Sequence, residues 1–74
     1  MTFQDDVAAE VRAELARRMI SGREVGRALG WTQYYIAARL RGGIEFSLSD
    51  LEKIAEYLEV PVTNFFSASG SRTV

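Results

Sequence analysis

Cysteine and histidine are both absent from the 74 residues, and their absence removes several kinds of protein at once. Without cysteine there is no disulfide framework and no zinc ribbon. Without histidine, Ser–His and Cys–His catalysis and most transition-metal sites are excluded. No nucleophile–base pair, phosphate-cradling glycine loop or metal cluster can be assembled, so the chain reads as a non-enzyme with no cofactor and no small-molecule ligand. Proline occurs once, at Pro61. No apolar run nears the roughly 18 residues of a membrane span, and no signal-peptide core follows the N-terminus. The expectation is a cytoplasmic chain without a membrane partner. Period-two alternation is lacking across residues 3–60, which leaves no candidate strand. A chain this short buries only about 60% of its unfolded surface, so it holds one domain.

Net charge is also nearly lacking, at −1, but the total hides a partition. Residues 1–14 carry Asp5, Asp6, Glu10 and Glu14 against Arg12, a net of −3. Residues 15–43 carry Arg17, Arg18, Arg23, Arg27, Arg39 and Arg41 against Glu24, a net of +5. Residues 44–66 carry Glu45, Asp50, Glu52, Glu56 and Glu59 against Lys53, a net of −4. Local field rather than net charge decides what a surface attracts. A basic middle between acidic flanks is either a set of solvated helix faces or a binding patch. Arginine outnumbers lysine eight to one, which suits bidentate phosphate and guanine contacts. A coding bias gives the same ratio, so the clustering is the stronger observation.

The apolar spacing is helical throughout. Val7, Val11, Leu15 and Met19 recur at i+4 with Ala8 beside them, one stripe on a helix from Phe3 to about Met19. Thr2 can cap it, and Asp5 and Asp6 suit its positive end. Three later starts share one grammar. Ser21 with Glu24, Thr32, and Ser47 with Asp50 stand at cap positions, and Ile20–Val25, Trp31–Ile36 and Phe46–Leu51 stand at hydrophobic-staple positions. Gly30 and Gly42-Gly43 supply helix stops. Leu48, Leu51, Ile54, Ala55 and Leu58 form the core stripe of a fourth helix, and Pro61 opens a short fifth, Val62 to Phe66. The domain is expected over residues 1–66, with a flexible polar tail over 67–74.

Arg23 to Leu29, Gly30, the turn Trp31-Thr32, and Gln33 to Arg41 form a helix-turn-helix pattern. Val25, Leu29, Trp31, Ile36 and Leu40 lock the pair, and Gly26 leaves room for close approach. At about 100° per residue with Ile36 inward, the outward face of the second helix holds Tyr34, Ala37, Ala38 and Arg41, with Gln33 at its leading end. Alanines there are cheap helix formers, or methyls for thymine in a major groove. Gln33 can pair bidentately with adenine, or be an inert polar residue. Tyr35 turns partly toward the first helix of the motif. Arg39 lies on the flank, facing either backbone phosphate or an acidic residue.

This pattern resembles the lambda-repressor-like, Cro/CI or XRE, helix-turn-helix family from Val11 to Phe66. The resemblance rests on Val25 through Gln33, on Ile36 through Gly42, and on Leu51-Glu52-Lys53-Ile54-Ala55-Glu56-Tyr57-Leu58-Glu59-Val60-Pro61. It implies an all-α, compact five-helix domain with the helix-turn-helix at helices 2 and 3. By position it implies that Gln33 and Tyr34 read bases, that Ala37 and Ala38 face the groove, and that Arg23 and Thr32 contact phosphate. Tyr35, Arg39 and Arg41 complete the expected phosphate set. The family usually has an apolar residue where Arg39 stands; here Leu40 follows it. Arg41 stands just ahead of Gly42-Gly43, where the family often has an acid, and makes that edge more basic.

The expected function is a small sequence-specific DNA-binding transcriptional regulator, a repressor or Cro-like protein, bacterial or phage-encoded and nucleoid-associated. The expected partner is double-stranded DNA, a palindromic operator bound by a weak homodimer that forms on the DNA. Phe65 and Phe66 are candidate dimer contacts, with at least one of them closing the core. The alternative is a protein-interaction or antitoxin-like module that keeps the fold without reading DNA, which the acidic flanks favour.

Overall fold

The computed structural model describes residues 3–66 as four α-helices followed by a 3-10 helix. Helix α1 spans Phe3–Arg17, α2 Gly22–Leu29, α3 Gln33–Leu40 and α4 Leu48–Leu58, and the 3-10 helix spans Val62–Phe66. The all-α class holds, with the fifth helix wound more tightly than an α-helix. Its first turn closes where the Asn64 N–H donates to the Pro61 carbonyl at 3.0 Å. The expected cap at Thr2 and the expected tail at residues 67–74 lie outside the described residues.

The starts follow the cap grammar. Ser21 and Glu24 form a reciprocal capping box, with the Glu24 N–H donating to Ser21 Oγ at 3.1 Å and the Ser21 N–H to Glu24 Oε1 at 3.2 Å. Ser47 and Asp50 do the same at α4, at 3.0 and 3.1 Å. Thr32 caps α3 by accepting from the Tyr35 N–H at 3.1 Å. These bonds satisfy N–H groups that no helical carbonyl can reach.

All four α-helices end alike. The chain turns left-handed at Met19 (φ 56°), Gly30 (77°), Gly42 (85°) and Glu59 (60°). In each case the next N–H reaches back to the carbonyl five residues earlier: Ile20 to Leu15, Trp31 to Gly26, Gly43 to Ala38 and Val60 to Ala55, at 2.8–3.0 Å. This is the Schellman closure. It explains a departure from the expected α1 stripe: the helix has already ended at Met19, whose side chain is 91% exposed. Ile20 takes the core place instead, then serves as the staple residue of α2. Leu48 also leaves its expected stripe. It is the first residue of α4 and is exposed, while Phe46 and Leu51 on either side of it are buried.

Val7, Val11 and Leu15 of α1, Val25 of α2, Ile36 of α3, Leu51, Ile54 and Leu58 of α4, and Phe65 make one core. Helix α3 packs on α2 and α1, α4 packs on α2, and the 3-10 helix closes the base between α1 and α4. Phe65 is part of that closure and buried, which removes it as a dimer contact. Phe66 sits half-buried at the edge of the core.

Gly26 is the close-approach point. A Cβ there would lie 3.2 Å from Ile36 Cγ2 and 3.3 Å from the Trp31 carbonyl oxygen. Gly26→Ala gains up to about 1 kcal/mol of helix propensity but presses on a fixed backbone oxygen and a packed core side chain, an overpacking cost of about 1–3 kcal/mol. The net expectation is a destabilised but folded domain, with Tm lowered by roughly 4–8 °C per kcal/mol lost. Calorimetry checks this; an unchanged or raised Tm would mean that the helices separate freely.

Candidate nucleic-acid interface

Helix α3 is held from three sides, and these contacts decide which of its residues remain available. From α2 it is met at Gly26 and Val25. From α1, the Arg12 guanidinium donates to the Leu40 carbonyl at the C-terminal end of α3. That carbonyl has no intrahelical partner, and a cation suits the negative end of the helix. From α4, the contact is ionic.

Asp50 is 5% exposed. Its Oδ1 accepts from the Tyr35 hydroxyl at 2.7 Å, and its Oδ2 accepts from Arg39 Nε at 3.3 Å and from the Ser47 N–H at 3.1 Å. Arg39 also donates to the Tyr35 carbonyl at 3.1 Å and lays its guanidinium 3.5 Å from the centre of the Tyr35 ring. Trp31 lies on that ring in turn, with centroids 4.9 Å apart at 36°. Trp31, Tyr35 and Arg39 recur every four residues and so stack along one flank of α3. Burial pushes the Asp50 carboxyl up, but the bonds from Tyr35 and Ser47 and the charge of Arg39 outweigh it and hold the carboxyl below the usual carboxylate range. The bond to Asp50, with burial, pushes the Tyr35 phenol above its ordinary value.

This cluster corrects two expected phosphate contacts. Tyr35 and Arg39 direct their polar heads at Asp50 rather than outward. Of the two destinations open to Arg39, the acidic residue is the one it takes. The departure from an apolar residue at that position has its physical reason here: the guanidinium is neutralised by a buried acid and covers an aromatic ring.

A third correction concerns Ala38, which is 2% exposed. The helical wheel turns it outward. After α3, however, the chain doubles back beside it, and the N–H groups of Gly43 and Ile44 both donate to its carbonyl, at 2.9 and 3.3 Å. The outer face that remains is Gln33, Tyr34 and Arg41, all exposed, with Ala37 half-buried between them. Tyr34 is 68% exposed. Thr32 is exposed at the turn, with its hydroxyl oxygen engaged as the cap.

The arginines divide in the same way. Arg17 and Arg18 both bind Glu14, at 2.8 and 2.9 Å. Their hydrogen bonds hold the Glu14 carboxyl below its ordinary value. Arg39 pairs with Asp50. Among the described residues Arg23, Arg27 and Arg41 form no ion pair, and all three are exposed on the helix-turn-helix. They border two open grooves of about 400 Å³ each. One runs between the start of α2 and the outer flank of α3, with Arg12, Arg23 and Arg41 at its rim. The other lies across Gly26, between Arg23, Arg27 and Trp31. Gln33 lines both. The basic segment in the sequence is therefore smaller in effect than its count, and it concentrates around Gln33.

The sequence profile of the helix-turn-helix family matches residues 11–65, which run from the middle of α1 to the end of the core. The chain belongs to the helix-turn-helix family. It is a lambda-repressor-like DNA-binding domain of the kind used in transcription regulation. Neither a curated protein nor a solved structure matches the chain. Within this helix-turn-helix domain the described residues hold no cluster of metal-ligating side chains, and no helix is long and apolar enough to cross a membrane. The residues that sequence reasoning missed are Arg12 and Asp50. Asp50 was legible as a cap; its second role is signalled only by the Trp31–Tyr35–Arg39 spacing, which leaves a cation on a flank in need of an acid.

The lowered Asp50 carboxyl makes stability depend on pH. A depressed folded-state pKa contributes stability that is fully present above the unfolded value and is lost as pH falls through the folded one. Wild type should therefore lose stability below about pH 4. Asp50→Asn should be less stable at neutral pH and should flatten that acid limb. Tyr35→Phe should cost about 1.5–3 kcal/mol at pH 7, one hydrogen bond to a charged group. Urea midpoints at neutral and acid pH check this; parallel acid limbs in wild type and Asp50→Asn would exclude the carboxylate as the cause.

Proposed function

We propose that the chain is a small sequence-specific regulator, a repressor or Cro-like protein, that lays α3 in the major groove of its operator. In this reading Gln33 and Tyr34 meet base edges from the first turn of the helix, and Ala37 faces the groove behind them. Arg23, Thr32 and Arg41 hold backbone phosphates, and Arg27 adds to the field beside them. The observation that carries the reading is the set of three unpaired arginines around an exposed Gln33-Tyr34 pair, while every other arginine described in the basic segment is neutralised. Phosphate contacts fix register, and base-edge contacts supply specificity.

One α3 spans only a few base pairs. Two copies related by a two-fold axis, with their recognition helices about 34–36 Å apart, match successive major grooves on a palindrome. With Phe65 in the core, Phe66, half-buried at its edge, is the member of the pair that remains a candidate for such a contact. The competing reading is a protein-interaction or antitoxin-like module. Its support is the exposed acidic row Glu52, Glu56 and Glu59 at α4.

Selection of duplex sites by the purified protein separates the two, since a palindromic consensus supports the regulator and no enrichment supports the module. On the selected site, log K should fall with log salt at a slope of roughly −4 to −7, as four to eight neutralised phosphates per dimer require. Gln33→Ala and Tyr34→Ala should each weaken specific binding by roughly 1–3 kcal/mol and relax preference at separate positions. Arg23→Ala should weaken all sequences alike. Uniform loss in Gln33→Ala, or affinity indifferent to salt, would remove α3 as the reader.

A further inference from the structure

The outer ridge of α3 has an uneven chemistry. Gln33 at its leading end and Arg41 at its trailing end carry polar heads. Between them stand Tyr34 and Ala37, three residues apart and therefore neighbours on one face. Tyr34 is 68% exposed, and among the described residues its side chain makes no hydrogen bond or ring contact. Its neighbour Tyr35 is bound at both ring face and hydroxyl. Beside Ala37 the groove continues over the half-buried Leu40, with the core residue Ile36 beneath, and Arg12, Arg23 and Arg41 also line it. The centre of the ridge is apolar and its margins are cationic. It carries no carboxylate to accept from a cytosine amino group. On the major-groove edge of DNA the apolar group is the C5 methyl of thymine, and phosphates line the groove on both sides. The two patterns are complementary.

We propose that Tyr34 and Ala37 form a methyl-reading surface that selects a thymine C5 methyl in each half-site, next to the base read by Gln33. This rests on the DNA-reading function proposed above. The buried position of Ala38 limits the surface to these two side chains. A pyrimidine methyl is read whatever base bears it, so 5-methylcytosine should be preferred over cytosine at the same position.

The test uses the full chain and the duplex recovered by site selection, resynthesised with deoxyuridine in place of each thymidine in turn. Uracil pairs as thymine does and lacks only the methyl. At one position per half-site the affinity should fall about fourfold, the equivalent of one methyl group removed from water. With both half-sites substituted the fall should be about fifteenfold. Tyr34→Ala should bind the thymine and uracil duplexes alike. Tyr34→Phe should keep the preference, because the ring and not the hydroxyl carries it, and Arg23→Ala should weaken both duplexes and keep their ratio. Circular dichroism should give the wild-type spectrum for all three. Equal binding of thymine and uracil at every position, a selected half-site without a T·A pair, or loss of the preference in Tyr34→Phe would each overturn the methyl reader while leaving a sequence-specific protein. A chain that enriched no duplex would overturn the DNA-reading function and this inference with it.

Discussion

Placing a carboxylate out of water costs several kcal/mol unless the charge is fully hydrogen-bonded. The way Asp50 meets that condition orients the recognition helix. Its two oxygens take bonds from Tyr35 and Arg39 on α3 and from Ser47 at the start of its own helix. The same residue that caps α4 thus ties α4 to α3. Releasing the two helices would leave a buried charge without partners, so their relative orientation is fixed by electrostatics as well as by apolar contact. The Trp31–Tyr35–Arg39 stack is the α3 half of this arrangement, and it leaves the opposite flank free to face outward.

The turns between helices work by giving one residue two duties. Ile20 closes α1 through its bond to Leu15 and then staples α2; Trp31 closes α2 through its bond to Gly26 and then staples α3. The cap residues Ser21 and Thr32 follow immediately. The connections are therefore too short and too fully bonded to leave much freedom at the entry to either helix. Arg12 adds a tie at the far end of α3, where a helix terminus would otherwise present an unsatisfied carbonyl.

Starts of helices were more legible in the sequence than their ends. Ser21, Thr32 and Ser47 announce themselves because a side-chain oxygen at that position has a specific chemical task. Gly30 and Gly42 likewise mark left-handed turns. Met19 and Glu59 adopt the same left-handed conformation without glycine, and nothing in a methionine or a glutamate signals it. At the interface, a helical wheel separated Gln33, Tyr34 and Arg41 from Ile36 correctly, because a wheel captures angle. It misjudged Ala38, because the strip of chain that returns past Gly43 and Ile44 is not a property of the helix. It also could not tell which arginines were free: Glu14 lies three and four residues from its partners and could be suspected from spacing, whereas Asp50 is eleven residues from Arg39 and reaches it only through the fold.

The uncompensated arginines have a kinetic consequence. With a net charge of −1, the molecule as a whole is neither drawn to nor repelled strongly by a polyanion at long range. Beyond a Debye length of about 8 Å at physiological ionic strength the separate charges blur together. Closer in, a duplex that approaches Arg23, Arg27 and Arg41 is attracted, and one that approaches the exposed glutamates of α4 is turned away. Misaligned encounters then dissociate quickly while aligned ones persist, so the charge pattern acts as an orientational filter on collisions and holds down the time lost on the wrong face of the protein.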